Sequence, residues 1–400
     1  MNKVKLPVIT NFAIDLDLKT KEQFENCFNE SFVIAASLMP DAHVGYIAPI
    51  GSVFITENII VPSWIGYDIG CGVSSFKLKF NNNNNNNNKL AKEFWDLIKE
   101  KFSEIYSSVN LKVPMGLGKL NHIQDVSIKI KDKFKVYLKE IQLLNIDSNL
   151  FKYIKNNSIS NLGTLGSGNH FIEFGFDDED FWIIIHSGSR NIGHRIAEYY
   201  MELVSKNFTF DLNKEIKGNF FIEKKSNLFK EYLSMVKFAS KFAELNRDEM
   251  AVKIEEVLKN ILDLDDLSLE KITSTQHNFI EVLDNNFIHR KGVISAKKNE
   301  CSIIPANMKD GSFLVQGKGN LDFLNSASHG AGRILSRSEA KKKLSLNNFC
   351  DMMEGVVGNY TKENIDESPL AYKDISKVLK AQKSSIKVLK HIKPLINWKG

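Results

Sequence analysis

Short apolar runs closed by glycine are what most limit the folds open to this chain. Three of them, "YIAPIGSVFI", "FWIIIHSGS" and "SFLVQGKGN", are too short for a packed helix and carry their glycines at the boundary. Such runs read as strands buried in a sheet, with the glycine making the turn that follows. "VSSFKLKF" reads as a further strand, and "KLAKEFWDLIKEKF" beyond it as a helix. From Leu228 to about Leu262 the period changes to that of a long helix. Met235, Phe238, Phe242 and Leu245 share its apolar face, and Glu244, Arg247, Asp248, Glu255 and Glu256 would supply its charged cover.

Strands and helices are interspersed without regular strand–helix–strand alternation, which predicts an α+β fold rather than a doubly wound sheet. We expect one large mixed domain over residues 1–400, its sheets flanked by helices. "NNNNNNNN", Asn81 to Asn88, reads as a solvated loop, and Asp147 to Ser158 as polar linker or helix-end material. The tail "DISKVLKAQKSSIKVLKHIKPLINWKG" reads as a basic helix ending at Pro394.

At 400 residues, 43% hydrophobic and 25% charged, the chain can bury a core, so wholesale disorder is excluded. A net charge of +5 tolerates nucleic acid as a partner without requiring it. Cys27, Cys71, Cys301 and Cys350 are scattered with no CxxC pair, which argues against a zinc ribbon or disulfide framework and for a reducing cytoplasmic setting. No signal peptide or membrane span is legible, so we expect no membrane association.

The residues that can hold metal sit beside glycines. In "GYDIGCGV", Asp68 and Cys71 are three apart on a sharp turn, where carboxylate and thiolate could face one ion. His170 ends the loop of "GTLGSGNHFIEFG", His186 ends the apolar strand of "IIIHSGSRNIGH", and His277 precedes the apolar run of "QHNFIEV". Singly, each suits a structural role as well as a ligand. Together, one thiolate, three imidazoles and a carboxylate suit a borderline divalent ion such as manganese, zinc, cobalt or iron(II). The set does not match a closed four-cysteine zinc site or an oxygen-rich calcium cage. Five ligands could divide between two ions if the Cys71 sulfur bridges them, leaving open positions for catalysis. Neither familiar phosphate loop is present, since "GTLGSG" has the wrong glycine order for a dinucleotide fingerprint. "SHGAGR" sets His329 against Gly330, Ala331 and Gly332, which suits a buried structural histidine as well as one that a phosphate can approach.

These motifs, with "MPDAHVGYIAPIGSV", "YLSMVKFASKFAELNR", "HRKG" and a terminal "KG", stand in an order that resembles the RtcB family of RNA ligases over nearly the whole chain. The resemblance implies a GTP- and manganese-dependent enzyme built around a central metal cleft. It would join RNA ends bearing a 3′-phosphate or 2′,3′-cyclic phosphate to 5′-hydroxyl ends, in RNA repair or tRNA splicing. It puts two manganese ions on Asp68, Cys71, His170, His186 and His277, and makes His329 the nucleophile that carries GMP. Its GTP and GMP pocket maps to Asn169, His170, Phe171, Ile172, Glu173, His277, Asn278, Pro305, Ala306, Asn307, Met308, Ser312, His329, Gly330, Ala331, Gly332, Tyr372 and Lys399. Arg190 and Arg333 match positions suited to RNA phosphate. A monomer is expected, with an archease-type protein as a candidate activator.

Two departures stand out. Pro305-Ala306-Asn307-Met308 replaces the usual Pro-Gly-Ser-Met, putting an amide that can still donate where the family has a hydroxyl. Val293-Ile294-Ser295-Ala296 replaces Ala-Thr-Arg-Ala, removing an arginine that could meet RNA phosphate. Two other readings compete. A metal-dependent phosphodiesterase that uses no GTP would need a metal-bound water rather than a glycine-flanked nucleophile. A catalytically silent RNA-binding protein would be expected to have lost some of the ligands or His329.

Overall fold

In the computed structural model, which describes residues 8–80, 87–144, 146–206 and 218–400, all four runs read as strands contain one, although in "YIAPIGSVFI" the strand begins only at Ile50 and Tyr46 to Pro49 is loop. The larger sheet holds seven, in the spatial order Cys301–Pro305, Ser312–Gly317, Ile386–Lys399, Phe171–Phe176, Phe181–Ser187, Gly72–Phe80 and Leu267–Gln276. Every neighbouring pair in it is antiparallel. The second sheet runs Val8–Asn11, Val33–His43, Ile50–Glu57, Asn286–Lys291 and Asn278–Leu283, with only its first pair parallel. The arrangement is α+β, as the irregular alternation predicts.

The long helix, Asn227–Leu262, starts where the Ser226 side chain accepts from the Leu228 amide and stops at Asp263, which turns left-handed at φ 55°. Its apolar face divides between two cores. Phe238, Phe242 and Leu245 meet helices Ile128–Gln142 and Arg190–Lys206, and Met250, Ile254 and Leu258 meet the large sheet and helix Asn87–Lys112. The charged cover expected at Arg247 is absent: that side chain is fully buried. Its guanidinium donates to Ser74 Oγ (2.8 Å), Ser187 O (2.9 Å) and Ser274 Oγ (3.2 Å), so the cation is solvated by the sheet instead of by water. Helical period alone cannot distinguish that face from a wet one.

Two other expectations are corrected. Asp147 to Ser158 is not linker: helix Ser148–Asn161 begins there, capped by the Asp147 carboxylate, which accepts from the amides of Asn149 and Leu150. The tail is a helix only over Ile375–Ala381, and Ile386–Lys399 is a central strand. Lys387, Lys390 and Lys393 recur at three-residue spacing, which imitates a helix. The register shifts opposite Leu314/Val315 and again between Pro394 and Ile396, so the strand absorbs that spacing and its proline as irregularities. Of the asparagine tract, residues 81–86 lie outside the described residues, and Asn87 and Asn88 open a helix. Among the described residues no helix is long and apolar enough to cross a membrane.

Candidate metal and nucleotide site

Strand register collects the metal candidates. Val73 and Phe171 both pair with His186, and Gly72 pairs with Gln276, so the ends of four strands bring Cys71, His170, His186 and His277 to one edge of the sheet. The turn carrying Asp68 closes when the Cys71 amide donates to Asp68 O (3.1 Å). Gly188 has to be glycine: a Cβ there would lie 2.1 Å from Asp68 Oδ1. Asn246 of the long helix bonds Thr164, Ser187 Oγ and Gly188 O, fixing the loop and strand that flank the cluster.

Cys71 Sγ is 3.4 Å from Nε2 of both His170 and His186, and these three offer ligand atoms within 4.8 Å of one another. The rings are oriented from behind. His170 Nδ1 faces Leu165 O at 3.0 Å and His186 Nδ1 faces Asn169 O at 3.2 Å. A carbonyl can only accept, so each Nδ1 carries the proton and each Nε2 turns its lone pair toward the sulfur. His170 Nε2 also lies 3.1 Å from Asp68 Oδ2. Lone pairs of nitrogen, sulfur and carboxylate that converge in this way call for a cation between them. Burial would raise the Asp68 carboxyl, but positive charge at His170 Nε2, a proton there or a metal in its place, and the nearby Arg190 guanidinium hold it low. Burial, with neighbouring His170, pushes His186 well below the usual imidazole range, and burial does the same to His277. Neutral imidazoles and an ionised carboxylate are the forms that bind a divalent ion. Burial and adjacent Asp68 push the Cys71 thiol up, so a metal entering here has to displace its proton. His277 stands one ring further on, 5.1 Å from His186 and 4.8 Å from His329 between centroids, and its buried Nδ1 has no partner.

His329 follows strand Ser326–Ser328 and lines a cavity of about 670 Å³, a size suited to a nucleotide. Its Nδ1 lies 2.8 Å from Oδ2 of Asp41, a fully buried carboxylate. With the proton held on Nδ1, Nε2 keeps its lone pair. Gly332 serves this pairing more than it leaves room for phosphate: at φ 77°, a Cβ would meet Asp41 O at 2.2 Å. Lys373 donates to Ile14 O (2.6 Å) and Ala42 O (2.8 Å), fastening the segment that carries Asp41. Elsewhere in the cavity Glu173 accepts from Ser312 Oγ (2.8 Å), and burial lifts its carboxyl to about 8. Lys399, delivered by the corrected tail strand, is 2.6 Å from Glu367 Oε2. Burial opposes ionisation of Glu367, yet Lys399 and Arg337 hold it at about 2.

A sequence model of the family described as tRNA-splicing ligase RtcB matches residues 23–400. The chain belongs to the RtcB family. It is 31% identical to the RNA-splicing ligase RtcB of Escherichia coli strain K12, across 97% of this chain and 96% of that one. It is 30% identical to RNA-splicing ligase RtcB1 of E. coli strain ATCC 25922, with the same coverage (97% and 96%), and 26% identical to the tRNA-splicing ligase RtcB of Nanoarchaeum equitans, over 91% and 87%.

Most positions expected for the RtcB pocket line the cavity: Asn169, Phe171, Glu173, Pro305, Ala306, Asn307, Met308, His329, Gly330, Ala331, Gly332, Tyr372 and Lys399. Others do not. Ile172 points into the sheet core, Ser312 is buried behind Glu173, and Asn278 bridges Asp68 O (3.1 Å) to the Gly292 amide (2.9 Å). The departures also find local uses. The Asn307 amide is spent on its own turn, accepting from Lys309 and Asp310 amides and donating to Asp310 Oδ2 (2.7 Å). Ser295 donates to Glu300 Oε2 at 2.6 Å. Arg190, at φ 56°, lies beside the cluster with Nη1 3.4 Å from His170 Nδ1. Arg333 donates from all three nitrogens, to Leu335 O, Glu367, Tyr372 Oη and Asp366 O. Sequence reasoning missed Asp41, Glu367 and Lys373. The one available signal was a carboxylate inside the otherwise apolar "SLMPDAHVG".

Proposed function

We propose that this chain is a GTP-dependent RNA ligase that joins 3′-phosphate or 2′,3′-cyclic phosphate ends to 5′-hydroxyl ends through a guanylated His329. The observation that carries this reading is the Asp41–His329 bond of 2.8 Å, which in the neutral ring puts the proton on Nδ1 and the lone pair on Nε2, on a residue lining a nucleotide-sized cavity beside the metal candidates. His329 Nε2 attacks the α-phosphorus of GTP, the α–β anhydride breaks and pyrophosphate leaves. Asp41 stabilises the positive charge that develops on the ring. An oxygen of the RNA 3′-phosphate then attacks the same phosphorus, the P–N bond breaks, and His329 is regenerated neutral. The 5′-hydroxyl attacks the activated 3′-phosphorus and GMP leaves; a cyclic phosphate is first opened by water.

Asp68, Cys71, His170, His186 and His277 would hold the divalent metal, two manganese ions in our reading, and bound there it would neutralise phosphate charge and orient the reacting groups. Glu173, protonated in the buried wall, would have to give up that proton to accept from the N1–H and amino group of guanine, and Lys399 and Tyr372 supply further polar contacts at the cavity wall. Arg190 is the better placed of the two arginines for RNA phosphate, because Arg333 is already engaged within the protein. A phosphodiesterase acting without GTP would have no need of a nucleotide-sized cavity beside that imidazole. We further propose a monomer working in the reducing cytoplasm, which its free cysteines suit, with an archease-type activator that should speed guanylylation.

The test is incubation with manganese and α-labelled GTP. Label should reach the protein, be released by acid, and be absent from His329→Ala. The same variant should still join RNA carrying a preformed 3′-diphosphoguanosine end. Label retained by His329→Ala would assign the nucleophile elsewhere.

A further inference from the structure

We propose that Tyr46, Tyr67 and His194 form a platform on which bases of the RNA strand stack as it leaves the metal cluster, an inference that rests on the RNA-ligase reading. The chain has 27 phenylalanines, 10 tyrosines and 4 tryptophans, yet among the described residues Tyr46 is the only one of these classed as exposed, at 61%. That ring is not isolated. Its centroid is 5.4 Å from Tyr67, and Tyr67 in turn stacks on His194 at 4.9 Å with an interplanar angle of 19°. Tyr67 is half-buried in the middle, and the rings at the two ends of this row, Tyr46 and His194, are exposed.

The row is built from three separate elements and tied to the reacting centre. Tyr67 immediately precedes Asp68, so it lies one residue from a metal candidate. His194 sits on helix Arg190–Lys206, and Ser189 at the start of that helix donates to Ile69 O of the metal turn at 2.5 Å. Tyr46 lies in the loop between strands Val33–His43 and Ile50–Glu57, the first of which carries Asp41.

The chemistry favours nucleobases. Ends that are to be joined are unpaired, and proteins hold unpaired RNA by stacking its bases on aromatic and imidazole rings, whatever the sequence. Two carboxylates that share a cleft with Tyr46 and Tyr67 would repel a phosphate backbone if free, but Glu198 is paired with Arg195 (2.7 Å) and Glu202 with Lys206 (2.8 Å). Such neutralised flanks leave flat aromatic faces as the main attraction.

The experiment measures binding of a fluorescent single-stranded RNA with a 3′-phosphate to the full chain, without GTP, beside guanylylation by GTP without RNA. Tyr46→Leu keeps apolar bulk but loses the ring, and should weaken RNA binding at least about fivefold, with a comparable loss for His194→Leu. Tyr46→Phe should bind like the parent. Guanylylation should be unchanged in all three. RNA whose terminal nucleotides lack bases should bind the parent and Tyr46→Leu equally. The proposal is overturned if Tyr46→Leu binds within twofold of the parent, or if the loss persists with the abasic RNA, as it would for a phosphate contact or a protein-docking surface. Failure of the ligase reading would look different: no label from GTP in the parent protein, whatever the RNA affinities.

Discussion

Replacing Asp41 with asparagine changes one atom of a buried side chain and should disable the first chemical step. In the parent, Asp41 Oδ2 accepts from His329 Nδ1 at 2.8 Å, while Oδ1 is buried without a partner. An asparagine has two ways to sit there. With its carbonyl toward Nδ1 it keeps the tautomer but loses the charge, and a charge-assisted bond is worth about 1.5–3 kcal/mol, roughly 10- to 150-fold in rate if it acts fully in the transition state. It also buries the NH2 group where nothing accepts. With the NH2 toward Nδ1 the ring must accept there, so its proton moves to Nε2 and the attacking lone pair is lost. The analogous carboxylate-to-amide change in a serine-protease triad costs about 10⁴. Single-turnover transfer of label from α-labelled GTP to the protein should therefore slow by about 10 to 10⁴, according to which placement the amide takes. Metal content by elemental analysis and the apparent GTP affinity should both stay near the parent's. A labelling rate within threefold of the parent would refute the tautomer argument, because neither placement of the amide preserves both charge and proton.

Three further outcomes are expected. Cys71→Ala should remove at least one of two manganese ions, which would sit about 3.5–4 Å apart, and should abolish labelling; full metal occupancy by elemental analysis would exclude a bridging sulfur. Glu173 is raised from 4.5 to about 8, so the folded state holds a proton that the unfolded chain gives up, and stability should fall as pH rises from about 4.5 to 8. Urea denaturation at both ends of that window should show the slope in the parent and a flatter one in Glu173→Gln. Arg247→Met removes the guanidinium donor from Ser187 O, Ser74 Oγ and Ser274 Oγ, the last keeping only Ser74 Oγ, and should cost about 2–4 kcal/mol of unfolding free energy, read in the same assay.

What the sequence by itself determined was local. Glycine-closed apolar runs read as buried strands, and each contains one, though the first gives its leading residues, Tyr46 to Pro49, to a loop. Their irregular alternation with helices marked the α+β class, and the thiolate, imidazoles and carboxylate could be chosen by donor chemistry because each stands at the edge of an apolar run. Tertiary structure decided everything that depends on a partner distant in the chain. Asp41 and His329 are 288 residues apart, so no spacing rule could join them, and the role of Gly332 is visible only once the Asp41 backbone lies against it. Arg247 follows the same logic with the opposite sign: its helical position looked solvent-facing, but the acceptors that let a guanidinium be buried come from Ser74, Ser187 and Ser274. The tail misled for a related reason, since its lysines recur at a helical period while hydrogen bonding to strands on both sides, fixed by Ser312–Gly317 and Phe171–Phe176, holds it extended. Local period records which face is apolar. Only packing determines what that face, and the polar one opposite, will meet.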